Sequence, residues 1–222
     1  MEKLIRIALD GPSGSGKSTI AKKLSQMLNI LYLDTGAMYR ATALKALKSN
    51  IDTFDEQGVL SFINDIDLEI KYIDGAQHTF LDGEDVSEKI REPQVSMAAS
   101  NISSLKCVRL KMVDMQRKIA SSLSCVLDGR DIGSYVLPNA DFKFYITASA
   151  DVRADRRFKE LKLKGHDVDF EALKQEIIQR DYNDSHRDFS PLCKADDAIE
   201  IDTSFMSVEQ VINKVLSYVE GK

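Results

Sequence analysis

A glycine-rich segment near the start of the chain constrains the fold more than any other feature. It matches the pattern GxxxxGK[ST] and consists of Gly11, Pro12, Ser13, Gly14, Ser15, Gly16, Lys17 and Ser18, with Thr19 behind it. Its glycines let backbone N–H groups turn inward around phosphate oxygens, and a helix that begins there adds its positive dipole. Lys17 can reach the β- and γ-phosphates of a nucleotide, and the Ser18 hydroxyl can ligate Mg²⁺. An ordinary glycine-rich turn is the alternative, but an apolar strand pattern before the segment and a helical pattern after it favour phosphate binding.

Strand patterns alternate with helical patterns along most of the chain. We expect strands over residues 4–9, 31–33, 125–127, 142–146 and 198–201. We expect helices over residues 18–28, 35–48, 96–123, 151–164, 170–180 and 207–219. Residues 66–86 differ, because alternating apolar residues and two Asp-Gly turn signals predict a small antiparallel sheet. The order predicts an α/β fold in which helices flank a central parallel sheet, with the small antiparallel sheet as an insertion.

Length, charge and cysteine content limit the classes of protein to which this chain can belong. A chain of 222 residues suits a single domain over residues 1–222. Its formal net charge of −5 gives no reason to expect binding to a nucleic acid polymer or a membrane. Three cysteines without a CxxC spacing indicate neither a disulfide framework nor a zinc site. With no recognisable signal peptide or membrane-spanning stretch, we expect a cytoplasmic protein.

An aspartate follows one of the predicted buried strands. Residues 125–127 are apolar and end at Asp128. Such an acid commonly holds the water shell of Mg²⁺ in phosphate-transferring folds. A strand-end aspartate that caps a turn explains the same four residues equally well.

Eight arginines lie in predicted loops or at helix edges: Arg40, Arg109, Arg130, Arg153, Arg156, Arg157, Arg180 and Arg187. Arginine suits phosphate binding because it is always charged and can bind phosphate bidentately, although any single arginine is more simply a surface residue. Two groupings favour a site: Arg130 follows a strand end between glycines, and Arg180 and Arg187 flank Asp184 at helical spacing. The charged helix over residues 151–164 is either a solvated helix or a mobile lid whose arginines close over ATP.

These motifs together resemble those of the bacterial-type cytidylate kinases, a branch of the nucleoside monophosphate kinases. The resemblance is carried by residues 10–19, DTGAMYR at 34–40, LDGEDV at 81–86, DGRDIG at 128–133, and RDYNDSHR at 180–187 with SPL at 190–192. The first stretch is generic, whereas the combination of the DTGAMYR, DGRDIG and RDxxDxxR patterns is highly specific. The resemblance implies a P-loop kinase that transfers the γ-phosphoryl group of ATP to CMP or dCMP. The products would be ADP and CDP or dCDP in pyrimidine nucleotide metabolism, with Mg²⁺ as cofactor and a monomeric enzyme.

The resemblance also implies roles for particular residues. The residues that act on the transferring group are Lys17, Arg130, Arg157 and Arg187. Lid arginines that meet ATP are Arg156 and Arg157. The phosphate of the acceptor binds Thr35, Arg40, Arg130 and Arg187. Cytosine binds Ser100, Arg109 and Asp131. The ribose binds Arg180 and Asp184. The metal ligands are Ser18 and Asp128. Residues 34–100 form the monophosphate-binding region with the inserted sheet, and residues 151–168 form the lid.

The cytosine assignment is chemically consistent. Cytosine carries an exocyclic amine beside two acceptors, N3 and O2. Asp131 can accept a hydrogen from the amine, and Arg109 can donate to the two acceptors. Uracil has a carbonyl in place of the amine. The buried carboxylate of Asp131 would then face another hydrogen-bond acceptor, so the site would discriminate strongly against uracil.

Two other functions stay open from the sequence. A related P-loop kinase could act on UMP, AMP or shikimate, and a regulatory module could use the loop only to sense a nucleotide. The sequence has neither the [NT]KxD segment of guanine-specific GTPases nor an LSGGQ-like segment. A screen of acceptors separates the kinases from one another, and a lack of acceleration by any monophosphate would identify the regulatory module.

Overall fold

The computed structural model describes residues 4–221. The strands in this range are β1 (Arg6–Asp10), β2 (Leu31–Asp34), β3 (Leu68–Ile73), β4 (Ala76–Leu81), β5 (Glu84–Asp85), β6 (Cys125–Gly129), β7 (Phe142–Thr147) and β8 (Ile199–Asp202). The helices are α1 (Lys17–Leu28), α2 (Thr35–Lys48), α3 (Glu56–Ile63), α4 (Pro93–Ile102), α5 (Lys106–Ala120), α6 (Ala150–Leu163), α7 (Phe170–His186) and α8 (Val208–Glu220). Two short turns complete them, a 3₁₀ turn at Lys89–Arg91 and a π-helical turn at Ile132–Val136.

Five strands form the central sheet, in the order β2-β6-β1-β7-β8. Strand β1 pairs in parallel with β6 and with β7, and β7 pairs in parallel with β8. The register places Asp10, the last residue of β1, opposite Gly129 and Tyr145. Since the carboxyl ends of parallel strands meet at one edge, the loop after β1 lies beside the segment after β6. The predicted parallel sheet is confirmed.

The second sheet is antiparallel, in the order β3-β4-β5. Its two turns use Asp74–Gly75 and Asp82–Gly83, in which every residue has a positive φ between 51° and 78°. Two-residue hairpins of this kind require a left-handed backbone at both positions, which Asp-Gly supplies with little strain. The small antiparallel sheet expected within residues 66–86 is therefore confirmed.

The described backbone divides into two compact units. The first comprises the described residues up to Tyr32 and from Leu123 onward. Its core lies between the central sheet and helices α1 and α8, where Leu9, Leu24, Phe144 and Val215 are at most 1% exposed. Each such apolar side chain contributes roughly 1.5–3 kcal/mol when it leaves water. This core fixes the strand ends from which the site described below is built.

The second unit is Leu33–Ser122, which includes all of residues 34–100 and helix α5. Helix α2 packs against α4, α5 and β4, and α3 packs against α5. Met38, Ile63, Ile102 and Met112 are fully buried among these helices. The second unit thus has an apolar core of its own.

The single helix expected over residues 96–123 is wrong. The structure has two helices, α4 and α5, which are separated at residues 103–105. The Ser103 and Ser104 hydroxyls donate to the carbonyls of Ser100 and Asn101 at 2.8 and 2.6 Å. Such local side-chain bonds compete with the helical pattern of the backbone. Helix α3 was not expected, and α7 continues six residues beyond its expected end at residue 180.

Candidate active site

The glycine-rich loop joins the end of β1 to the start of α1. Gly11, Gly14 and Gly16 have φ values of 142°, 76° and 94°, which side-chain-bearing residues rarely adopt. A Cβ atom on Gly11 would also lie 2.0 Å from the Ile146 carbonyl oxygen, so packing excludes any other residue there. No side chain caps the first turn of α1 at its N-cap, Gly16. The first backbone N–H groups of α1, together with the positive end of the helix dipole, are therefore suited to bind an anion.

Lys17 is the first residue of α1, and its side chain is buried. Its Nζ donates to the Pro12 carbonyl at 2.7 Å and lies 3.4 Å from Ser15 Oγ. Burial, followed by the nearby charge of Arg130, lowers the pKa of Lys17 to about 7, although Asp128 and Asp10 oppose the shift. A bound phosphate would favour the charged amine. The lysine is therefore arranged to gain charge when an anion occupies the loop.

Ser18 and Asp128 lie together beside the loop. The Ser18 hydroxyl donates to Asp128 Oδ2 at 2.6 Å, and the Tyr32 hydroxyl donates to Asp128 Oδ1 at 3.0 Å. Mg²⁺ prefers oxygen ligands and usually takes only one or two from the protein, with the rest from phosphates and water. Residues 4–221 contain no cluster of three or more His, Cys, Asp or Glu side chains that could enclose a metal alone. The Ser18–Asp128 pair thus fits a Mg²⁺ ion that arrives with a nucleotide.

The segment after β6 places Arg130 and Asp131 at the same edge of the sheet. Asp131 is 4% exposed, and its Oδ2 accepts a hydrogen bond of 2.5 Å from the Ser190 hydroxyl. Arg187 Nη2 lies 3.7 Å from the other oxygen, Oδ1. Ser190 has a left-handed backbone with φ 51°, and its carbonyl accepts from Arg187 Nε at 2.6 Å. A carboxylate is thereby held in a defined orientation next to the positive side chain of Arg187.

Helix α7 contributes the remaining charged groups of the first unit. Arg130 Nε donates to Asp184 Oδ2 at 2.8 Å. Burial raises the pKa of Asp184, but Arg130, Arg180 and Arg187 outweigh it and hold the pKa below its ordinary value. Arg180 and Asp184 lie within α7, and Arg187 is the residue directly after it. The structure therefore brings together the five predicted acceptor-site residues that belong to the first unit.

The other four predicted acceptor-site residues belong to the second unit. Thr35 is the buried first residue of α2, and Arg40 Nη2 donates to Asp34 Oδ2 at 2.9 Å. Ser100 lies on α4, and its buried Oγ has no hydrogen-bond partner among the residues that the structure describes. Arg109, on α5, is 1% exposed, and its guanidinium lies 5.4 Å from the ring centre of Tyr39. Arg109 Nη1 also donates to the Ser103 carbonyl at 3.5 Å. A buried hydroxyl without a hydrogen-bond partner is costly, which makes Ser100 a candidate for a ligand contact.

Arg156 and Arg157, the predicted lid arginines, lie on α6 and already form hydrogen bonds with other protein groups. Arg156 donates to the side chain and carbonyl of Thr203 at 3.1 and 2.7 Å. Arg157 donates to Glu160 at 2.8 Å, in an exposed pair within one helix. Thr203 Oγ1 in turn donates to the carbonyl of Ser15 in the glycine-rich loop at 3.1 Å. Arg156 is thus linked to the loop through one residue, whereas Arg157 lies at the surface.

Sequence reasoning left three residues of this region without a role. Arg153 is buried, donates to the Ser13 carbonyl in the loop at 3.1 Å and pairs with Asp181 at 2.6 Å. Asp10 and Ser190 hold the segment that contains Asp131. Arg153 stood among the eight candidate arginines, and Asp10 has the strand-end position that drew attention to Asp128. No local sequence pattern predicts the hydrogen bond between Ser190 and Asp131.

The fold and the loop define the class of protein. A parallel sheet whose first strand leads through a GKS loop into a helix is the P-loop kinase architecture. A shikimate kinase from Bacteroides thetaiotaomicron has this fold, with a TM-score of 0.51 at 12% identity over 98% of this chain and 99% of that one. An uncharacterized protein from Eubacterium ventriosum gives a TM-score of 0.54 at 16% identity over 98% and 99% of the two chains.

The chain belongs to the cytidylate kinase family, whose model matches residues 7–221. A cytidylate kinase of Caldicellulosiruptor bescii is 53% identical over 96% of this chain and 95% of its own length. One of Clostridioides difficile is 48% identical over 96% and 97%. Family membership makes the chain an ATP-dependent phosphotransferase with a nucleoside monophosphate kinase role. Among the described residues, no helix combines the length and apolar character needed to cross a membrane.

Proposed function

We propose that this enzyme transfers the γ-phosphoryl group of ATP to CMP or dCMP and releases ADP with CDP or dCDP. The proposal rests above all on Asp131. It is a buried carboxylate, oriented by Ser190 and close to Arg187, at the sheet edge that also bears the phosphate-binding loop. A fixed acceptor of this kind matches the exocyclic amine of cytosine.

ATP would bind with its β- and γ-phosphates in the loop at the start of α1. Backbone N–H groups of the loop and of the uncapped first turn of α1 would donate to the phosphates, and Lys17 would add a positive charge. Ser18 and Asp128 are the residues that would hold Mg²⁺, which neutralises phosphate charge when bound. The loop positions the nucleotide, because phosphoryl transfer depends mainly on alignment and charge stabilisation.

The acceptor phosphate would lie against Arg130 and Arg187, in the same unit as the loop. Both side chains sit among acidic partners, Asp184 and Asp131, which fix their positions before a substrate binds. Preorganised positive groups of this kind stabilise negative charge as it develops during transfer. Thr35 and Arg40 would contact the acceptor phosphate as well, as the family resemblance implies.

The nucleoside contacts proposed here follow the family resemblance. Asp131 would accept from the cytosine amine, while Ser100 and Arg109 would donate to the base. Arg180 and Asp184 would bind the ribose hydroxyl groups. The buried Ser100 Oγ, which lacks a partner among residues 4–221, supports a ligand at that position.

We assign residues 151–168 to a lid and residues 34–100 to the monophosphate-binding region. Arg156 and Arg157 would then contact ATP after exchanging their present partners, Thr203 and Glu160. The exposed Arg157–Glu160 pair offers little resistance to such an exchange, because surface ion pairs contribute only about 0–1 kcal/mol. Closure of a lid would exclude water from the transferring group.

The test is a comparison of CMP, dCMP, UMP, AMP and shikimate as acceptors in a coupled assay of ADP release. We expect kcat/KM for CMP to exceed that for UMP by roughly 100-fold or more, as buried polar mismatches do in other enzymes. Asp131→Asn replaces an acceptor oxygen with an amide that can donate to uracil, so it should lower the CMP-to-UMP ratio at least 10-fold. UMP, AMP or shikimate as the best acceptor of the wild-type enzyme would overturn the proposal. Slow ATP hydrolysis that no acceptor accelerates would favour a regulatory module instead.

A further inference from the structure

Asp10 is a buried carboxylate that contacts the segment used for base reading. It ends β1, directly before the glycine-rich loop, and is 4% exposed. Its Oδ1 accepts from the backbone N–H of Ile132 and its Oδ2 from that of Gly133, each at 2.7 Å. One side chain therefore holds two consecutive peptide groups, 122 and 123 positions away along the chain.

These peptide groups begin an uncommon backbone turn. Residues Ile132–Val136 form one π-helical turn, and Asp131 is the residue immediately before it. The N–H groups of Tyr135 and Val136 donate to the Asp131 carbonyl at 2.9 and 3.0 Å. Single π-helical turns occur frequently at functional sites, and the first N–H groups of any helix lack partners within it. Asp10 supplies the partners for the two N–H groups that follow Asp131.

The location of Asp10 is energetically costly. Burial raises the pKa of Asp10 to about 7, against the two backbone N–H bonds that lower it. The nearby charge of Asp131 raises it further. Burying this acid beside a second acid costs free energy, and its two backbone N–H bonds offset part of that cost.

We propose that Asp10 is a positioning residue for base selection, which holds the turn after Asp131 so that the Asp131 carboxylate stays directed at the base. The inference rests on the proposed function, in which Asp131 accepts from the cytosine amine. Asp10 fixes the backbone of Asp131 from β1, and Ser190 fixes its side chain from the segment after α7. Asp10 itself contacts neither base nor phosphate in this account.

The first test is Asp10→Asn, which keeps the size of the side chain but replaces one acceptor oxygen with an NH₂ group. That group would face a backbone N–H, so one of the two bonds is lost. We expect the KM for CMP to rise at least 10-fold and the CMP-to-UMP ratio of kcat/KM to fall at least 10-fold, while the KM for ATP changes less than 3-fold. Equal changes in both KM values with an unchanged ratio would overturn the inference and leave Asp10 a structural residue.

Asp141→Asn is the matched control. Asp141 also accepts a backbone N–H from β1, that of Arg6 at 3.0 Å, but at the opposite end of the strand. Its substitution is expected to lower thermal stability without changing the CMP-to-UMP ratio. If Asp141→Asn lowered the ratio as much as Asp10→Asn does, any disturbance of β1 would be enough to impair base selection, and the inference would be contradicted.

A double-mutant cycle then tests whether Asp10 acts through Asp131. In the Asp131→Ala background, Asp10→Asn should have no further effect on the CMP-to-UMP ratio, whereas independent residues would give additive effects. Additive effects overturn the inference. The proposed function fails separately, if Asp131→Ala alone leaves the ratio unchanged.

Asp10→Ser serves if Asp10→Asn does not fold. A single short hydroxyl cannot accept from both the Ile132 and the Gly133 N–H groups, so the two bonds of Asp10 cannot both be kept. The CMP-to-UMP ratio should fall at least 3-fold in this variant. An unchanged ratio in a folded Asp10→Ser enzyme would overturn the inference.

Discussion

Arg130 and Asp184 form an ion pair of 2.8 Å that joins the segment after β6 to the end of α7, with only 18% and 6% of their side chains exposed. The pair links two chain segments that each contain further charged residues of the candidate site. Since Arg180 and Arg187 also hold the pKa of Asp184 low, the acid is ionised at neutral pH. It balances several arginines that would otherwise repel one another without a bound anion.

Asp184→Ala is expected to destabilise the fold by about 3–5 kcal/mol, because it leaves a largely buried arginine without its counter-charge. Denaturant unfolding of the free enzyme measures this loss. Asp155→Ala is the control, since Asp155 pairs with Lys159 at the surface and should cost about 1 kcal/mol or less. CMP should restore only part of the stability of Asp184→Ala, because its phosphate supplies a counter-charge to Arg130 while the predicted ribose contact is lost. Similar small costs for both variants would contradict the role of the buried pair.

The glycine-rich loop gives a second prediction about stability. Gly11 and Gly75 both have positive φ, but only Gly11 has a carbonyl, that of Ile146, 2.0 Å from where a Cβ would lie. Gly75 has open space around it. Gly75→Ala should therefore cost about 1–2 kcal/mol for the left-handed backbone alone, whereas Gly11→Ala adds overpacking of about 1–3 kcal/mol or more. Thermal unfolding compares the two, and equal costs would show that the loop tolerates a side chain at Gly11.

Lys17 should take up a proton when ATP binds above neutral pH. Its pKa in the free enzyme is lowered to about 7, so at pH 8 the amine is mostly neutral, and the phosphates of ATP raise the pKa again. Calorimetric titrations at pH 8 in buffers of different ionisation enthalpy should show this uptake. In Lys17→Met the uptake should vanish and kcat should fall by roughly 100-fold or more, as for other groups that stabilise transition-state charge. The same uptake in Lys17→Met would place the titrating group elsewhere.

The Ser18–Asp128 pair predicts the dependence on magnesium. Ser18→Ala and Asp128→Asn should each raise the Mg²⁺ concentration needed for half-maximal activity, and Asp128→Asn should do so more, since it removes a negative charge. The KM for CMP should change little at saturating Mg²⁺. Asp197→Asn is a suitable control, because Asp197 pairs with Lys143 instead. An unaltered Mg²⁺ requirement in Asp128→Asn would favour a turn-capping role for this acid.

Local sequence signals account for much of the fold. The predicted bounds of α2, residues 35–48, agree with the structure because Asp34 caps its start by accepting from the Ala37 N–H at 2.8 Å. The capping box of Ser207 and Gln210 likewise marks the start of α8. In both cases the signal and the structure that it predicts lie within a few residues of each other. The break at residues 103–105 was missed because its serines resemble ordinary polar positions of a helix.

The supports of the candidate site could not be predicted in the same way. Ser190 and Asp131 are 59 positions apart, and Asp10 and Ile132 are 122 apart, so no local pattern reports either contact. Motifs identify the residues proposed to touch the substrate, since those chemical types recur at fixed spacings. The residues that hold them in place can be of many types, and only the packing of β1, β6 and α7 reveals them. The roles of the site residues themselves stay predictions.

The most direct test of the account is a crystal structure with CMP and an unreactive ATP analogue. We predict the analogue's γ-phosphate at the loop and Lys17, and the CMP phosphate between Arg130 and Arg187, with the attacking oxygen about 3–3.5 Å from the γ-phosphorus. Asp131 should lie within hydrogen-bond distance of the cytosine amine. CMP bound away from Arg130, Arg187 and Asp131, too far from the γ-phosphate for transfer, would contradict the account.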